Sequence, residues 1–158
     1  MTHITHSARS SFTLGAHFRR AVGWLDRIPY SALAVPLRVA VATVFWHSAM
    51  AKLANLETAF ELFREEYRLP LLPPEVAVYL AVSVELTAPV LLLLGLATRL
   101  AALVLLCMTA VIQLFVYPQA WPTHIQWGAM LLVLLARGAG TLSADWLIRR
   151  HAMCTGEQ

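Results

Sequence analysis

An apolar run from 76 to 98, interrupted near its middle by one carboxylate, Glu85, constrains this chain more than any other stretch. At about 1.5 Å per residue it is long enough to cross a hydrocarbon core of about 30 Å, and it reads as a membrane span. An ionised carboxylate at that depth costs about 2.5–3.5 kcal/mol even on lenient insertion scales. Glu85 must therefore be protonated, paired, or turned toward a hydrated cavity.

The composition fits lipid as the solvent. Of 158 residues, 59% are hydrophobic and 13% charged, whereas a soluble domain carries about 25% charged residues. A net charge of +3 would suggest nucleic acid in a soluble protein. Here the arginines gather beside the spans, as orientation signals do, so the expected partner is the bilayer and not nucleic acid. Cys107 and Cys154 form no Cys-x-x-Cys pair, so neither a dithiol redox centre nor a thiolate metal site is expected.

The hydrophobic pattern predicts an all-α fold: a four-transmembrane-helix bundle with spans at about 32–52, 76–98, 100–117 and 124–137. Amphipathic surface helices are expected in the N-terminal segment, the first loop and the C-terminal segment. Three segments result: 1–30 on the cytoplasmic surface, 31–137 in the membrane, and 138–158 as a surface helix and tail. Residues 1–30 lack the apolar core of a signal peptide. There Leu14, Phe18, Val22, Leu25 and Ile28 recur at helical spacing, with Arg19, Arg20 and Arg27 off the stripe. This predicts a basic helix on the membrane surface, ended by Pro29 and preceded by disorder over 1–11. In the loop 53–74, Asn55 is placed to cap a short helix whose Leu56, Phe60, Phe63 and Tyr67 share a face, either a lid over the bundle or a plain amphipathic linker. Pro89, one turn past Glu85, frees a backbone carbonyl beside the acid. The last span is short, so local bilayer thinning, the reach of Arg137 and the tryptophans Trp121 and Trp127 must make up the difference, and the C-terminal helix places Trp146 and Leu147 on its apolar side.

Basic residues are lopsided across the spans. Arg9, Arg19, Arg20, Arg27, Arg99, Arg137, Arg149 and Arg150 fall on one side, and Lys52, Arg64 and Arg68 on the other. The positive-inside rule then puts both termini in the cytoplasm of a multi-pass inner-membrane protein. Lys52 closes the first span, from which its long stem can reach the interface.

On that topology His47, Glu85 and Gln113 lie at similar depths, about 18–22 Å from the cytoplasmic end, with Arg38 lower at about 10 Å. A buried arginine and a buried glutamate in one thin bundle are expected to find each other, so Arg38 is assigned to Glu85. Arg38 and Glu85 are the candidate catalytic pair, and Trp46, His47, Gln113 and His124 the candidate substrate-binding residues. The bland alternatives stand beside this: a pair that only fixes helix register, an interhelical hydrogen bond for Gln113, and an interface role for His124. His47, Met50, Met108 and Met130 could serve a soft ion such as Cu(I), but methionine in a span usually packs, and no metal site is expected. Haem is not expected either, because His124 lies nearer the surface than His47.

With these residues in place the chain resembles the DoxX family of small bacterial membrane proteins. The resemblance runs over 35–148. It is carried by Arg38, by Phe45 and Trp46 with Ser48 and Lys52, by the stretch 62–70, by Glu85, by 95–99, by 113–118, by Trp121 with His124, and by Leu142 and Ser143 with Asp145. Two departures are visible: Ala49 stands where the family usually has glycine, and Ala139 where it has proline between two glycines. The resemblance implies a four-helix inner-membrane protein linked to quinone-coupled oxidation of sulfur compounds or to assemblies answering oxidative stress. Closer-looking relatives are similar to proteins encoded beside copper-handling peptides. The expected function is a quinone-binding or non-catalytic membrane subunit of an oxidoreductase, with soluble partner proteins doing the electron chemistry. The alternatives are an accessory or transport protein in copper or stress homeostasis, and a membrane scaffold for soluble partners.

Overall fold

The computed structural model describes residues 19–20, 22–67 and 72–155, with side chains described to residue 151. The segment before residue 31 is a unit of its own, helical at 22–25 and turning at 26 and 27, with Trp24 and Leu25 exposed. Most of the basic surface helix expected over 14–28, and the disorder expected over 1–11, lie outside the described residues.

From there on every regular element among the described residues is a helix. Helix α1 (Tyr30–Ala54) is followed by the short α2 (Leu56–Leu62), whose first turn is capped by Asn55 Oδ1 accepting from Thr58 N at 3.1 Å. A π-helical turn, Phe63–Tyr67, completes the loop. Helix α3 (Pro74–Leu94) starts with a proline in its first turn, where a missing N–H matters least. It ends on Gly95, whose φ of 67° is the left-handed conformation that closes a helix. Helix α4 (Thr98–Val111) runs into a second π-helical turn, Ile112–Val116. Helices α5 (Trp121–Arg137) and α6 (Ala144–Thr155) follow.

Three of these helical stretches are long and apolar enough to cross a membrane: Tyr30–Ala54, Pro74–Leu94 and Thr98–Val116. Helix α5, with 17 residues, sits at the lower limit of a span. All four long helices feed one core of Val41, Phe45, Leu92, Ala102, Leu105, Leu131 and Leu134. A second cluster, Ala59, Phe63, Ala77, Val78 and Val82, joins the loop to α3. Small residues such as Ala34, Ala42, Ala49 and Ala102 are at most 2% exposed, which lets helix backbones approach where lipid supplies no hydrophobic drive and packing must hold the bundle. The methyl of Ala49 is fully accommodated.

The ends of α1, α3 and α4 near Gly95 are tied together by the C-terminal segment. Arg38 Nη2 donates to the Leu142 carbonyl at 2.8 Å, and Ser31 Oγ accepts from Thr141 N at 2.8 Å. Asp145 accepts from Ala97 N at 2.8 Å and Thr98 N at 3.1 Å, and its own N–H donates to Gly95 O at 2.9 Å. Gly95 is required here twice over: its φ is positive, and a Cβ would collide with the Arg38 guanidinium and the Ser143 side chain.

Candidate functional site

Helix α1 buries one stripe at helical spacing, Arg38, Val41, Ala42, Phe45 and Ala49. The next positions along it are Ser48 and Lys52, so the stripe that begins as core ends in polar groups. Opposite them α3 presents Glu85, 1% exposed. Lys52 Nζ lies 2.9 Å from both Glu85 oxygens and 2.8 Å from Ser48 Oγ, and Ser48 Oγ donates to Glu85 Oε1 at 3.0 Å. The three side chains form a closed ring of charge-assisted bonds, which meets the requirement that a buried charge be paired and saturated with donors. Pro89, four residues on, lacks the N–H that would bond the Glu85 carbonyl, so the helix is locally unsaturated beside the acid.

Arg38 is therefore not the partner of Glu85. It lies against Gly95, ten residues beyond Glu85 on α3, or about 15 Å along the helix axis. Depth counting misplaced it because it set each helix at its own apolar boundary, whereas α1 is offset so that its first two turns lie among the C-terminal segment. Lys52, read as an interfacial anchor, instead turns inward.

The pair borders a cavity of about 510 Å³ whose walls are mostly aliphatic. Its polar edge consists of Ser48, Lys52, Glu85, Tyr67, Tyr117 and His124. Ala77 and Ala81 on α3 leave the space, and Phe45 and Trp127, in edge-to-face contact at 5.8 Å, form part of the wall. Both π-helical turns reach it, one through Phe63 and Tyr67, the other through Ile112 and Val116. Such widened turns re-aim side chains that a regular helix would place elsewhere. Tyr67 and Tyr117 meet edge-on at 5.6 Å. Burial, reinforced by a hydrogen bond to Tyr117, holds the Tyr67 hydroxyl well above the usual phenol range, so it stays protonated.

His124 and Gln113 join α5 to the π turn. Gln113 Nε2 donates to Pro118 O at 2.8 Å, which fixes the amide and leaves Oε1 facing His124 Nδ1 at 2.7 Å. Because that oxygen can only accept, Nδ1 carries the proton, and a neutral ring keeps its acceptor on Nε2. His124 lines the cavity, while Gln113 positions it from behind.

Trp46 and His47 do not belong to this site. Both lie on the exposed face of α1, away from the stripe that carries Ser48 and Lys52. Of the six residues singled out by sequence, the structure brings Glu85, His124 and Gln113 to the cavity or its edge and leaves Arg38, Trp46 and His47 elsewhere. Ser48, Lys52, Tyr67 and Tyr117 were missed. The signal for the first two was their continuation of the buried stripe of α1. Among the described residues no three His, Cys, Asp or Glu side chains gather where they could hold a metal ion.

The DoxX family model matches residues 33–118, more than half of the chain, and the match takes in the buried pair and the cavity walls up to Tyr117. No curated protein and no solved structure matches the chain.

Proposed function

This chain belongs to the DoxX family and is an integral membrane protein, and on that basis we propose that its cavity binds a quinone head group and that the protein is the membrane subunit of a quinone-linked redox system. One observation carries the reading: a saturated Lys52–Glu85–Ser48 cluster stands in the wall of a largely apolar cavity, aliphatic and aromatic, large enough for a drug-sized ring. A pair that served helix register alone would need no such space beside it.

In this reading a quinone carbonyl accepts from the Tyr67 or Tyr117 hydroxyl, and the ring packs against Phe45 and Trp127. Reduction of a quinone to its diol takes two electrons and two protons. The electrons come from a soluble partner protein, and the protons pass through the Lys52–Glu85 pair. Arg38 takes no part. The excess of basic residues beside one set of helix ends supports an inner-membrane topology with both termini in the cytoplasm, α5 completing an even number of crossings.

The test is extraction of the protein purified from its native membrane. Stoichiometric quinone in the wild type, lost per mole of folded protein in Glu85→Gln, is the expected result. Copper in place of quinone would move the protein to metal handling. If neither is present and added quinone leaves Trp127 fluorescence unchanged, the quinone reading is wrong and a docking scaffold is left.

A further inference from the structure

The cavity has a side that faces lipid. Its lining includes Leu80 on α3 and Val104 and Val111 on α4, and these three are 52%, 37% and 41% exposed. In a helix that crosses a membrane, exposed side chains face hydrocarbon. On α3, Leu80 lies at the edge of the stripe that Ala77, Ala81 and Val84 turn to the cavity. On α4, Val104 and Val111 lie at the edge of the stripe carrying Met108 and Ile112, one turn from the outward Cys107. The two lips face each other across the α3–α4 hairpin.

The hairpin is tied by hydrogen bonds at its turn. At the turn, Gly95, Ala97 and Thr98 are bound by Asp145, and Leu96 N donates to Leu91 O at 2.9 Å. Toward the other end the described contacts run through the loop, with Phe63 packed on Ala77 and Val78 and Tyr67 edge-on to Tyr117, and the small side chains of Ala77 and Ala81 leave space beside α4. Glu85 lies ten residues from Gly95, about 15 Å from the turn, and lines the same cavity.

We infer that the ligand enters sideways from the bilayer, between the halves of α3 and α4 remote from the turn, with its polar head reaching the Lys52–Glu85 cluster and its hydrocarbon tail left in the lipid. The ligand class follows: an amphipathic molecule with a hydrogen-bonding head and a long aliphatic chain, not a water-soluble metabolite. This rests on the reading of the cavity as a quinone site, but the gap can be tested apart from it.

Two measurements on the reconstituted full chain separate the claims. In a variant whose other tryptophans, Trp24, Trp46, Trp121 and Trp146, are replaced by Phe, phospholipids brominated at mid-chain should quench Trp127 strongly. Filling the lips with Leu80→Phe and Val111→Phe should remove most of that quenching, and Val104→Phe alone is the independent check should the double variant fold poorly. The same plugs should slow uptake of a long-tailed quinone about tenfold and that of a tail-free quinone far less. Quenching that is weak in the unplugged protein, or indifferent to the plugs, overturns lateral entry. If lipid quenching behaves as stated but neither quinone binds, the opening stands with lipid as its occupant, and it is the quinone assignment that fails.

Discussion

Lys52 and Glu85, 33 positions apart in sequence and on different helices, meet with the ammonium 2.9 Å from each carboxylate oxygen. The bond fixes the register of α1 against α3 and places a compact dipole beside the cavity. Because Glu85 is 1% exposed and Lys52 13%, neither charge can fall back on water if the other is removed. The pair is thus far more costly to break than to replace.

That asymmetry gives the first prediction. Lys52→Met or Glu85→Leu alone should destabilise the protein by about 3–5 kcal/mol, since each strands a charge. The double variant should recover most of that loss while binding no quinone. Thermal unfolding in one detergent, with all four proteins side by side, reads the outcome. Single variants as stable as the wild type would mean the two groups do not depend on each other.

How much of this was legible beforehand divides along a physical line. The helices were, because a 3.6-residue apolar repeat and the cap at Asn55 are local, although the span read as 76–98 stops at Leu94, where Gly95 turns the chain. So was the need for a partner at Glu85, which follows from the cost of a charge in oil. The partner's identity was not, since register between helices is set by side-chain packing and by the Arg38–Leu142 and Asp145–Gly95 ties, and no single-helix pattern encodes it. Arg38 was drawn toward the centre by being polar, and His47, nine residues on and so on roughly the opposite face, was left open. The face each occupies decided both: Arg38 continues the buried stripe at its far end, and His47 falls on the opposite side.

Arg38 is a clamp on the C-terminal segment, through its 2.8 Å bond to the Leu142 carbonyl. Arg38→Ala should cost about 1.5–3 kcal/mol, the range for a hydrogen bond to a charged group. Faster amide exchange should be confined to 138–147, and the affinity for ligand at the Glu85 site should hardly change. Loss of ligand binding without faster exchange in that segment would return Arg38 to the site.

Asp145 holds the turn between α3 and α4 by accepting from two consecutive backbone N–H groups, Ala97 and Thr98. These are orphan donors at the start of α4, where a negative charge also meets the positive end of the helix dipole. Asp145→Ala should lower stability by about 1–2 kcal/mol, and Asp145→Asn by less, because the amide keeps only one acceptor oxygen. Chemical unfolding of the three proteins under identical conditions measures the order. An Asn variant worse than Ala would contradict the capping role.

Tyr67 supplies a pH signature of the cavity wall. Burial, and then its hydrogen bond to Tyr117, raise its ionisation above that of a free phenol, so the folded protein holds this proton more tightly than the unfolded chain does. The stability this contributes is fully present below the unfolded value of about 10 and is lost as pH rises beyond it, because only the unfolded state gains by ionising there. The melting temperature of the wild type should therefore fall more steeply above about pH 10 than that of Tyr67→Phe, while the two curves run parallel below it. Curves that stay parallel through the alkaline range would show that the Tyr67 hydroxyl is solvated in the folded protein, and that this edge of the cavity is wet.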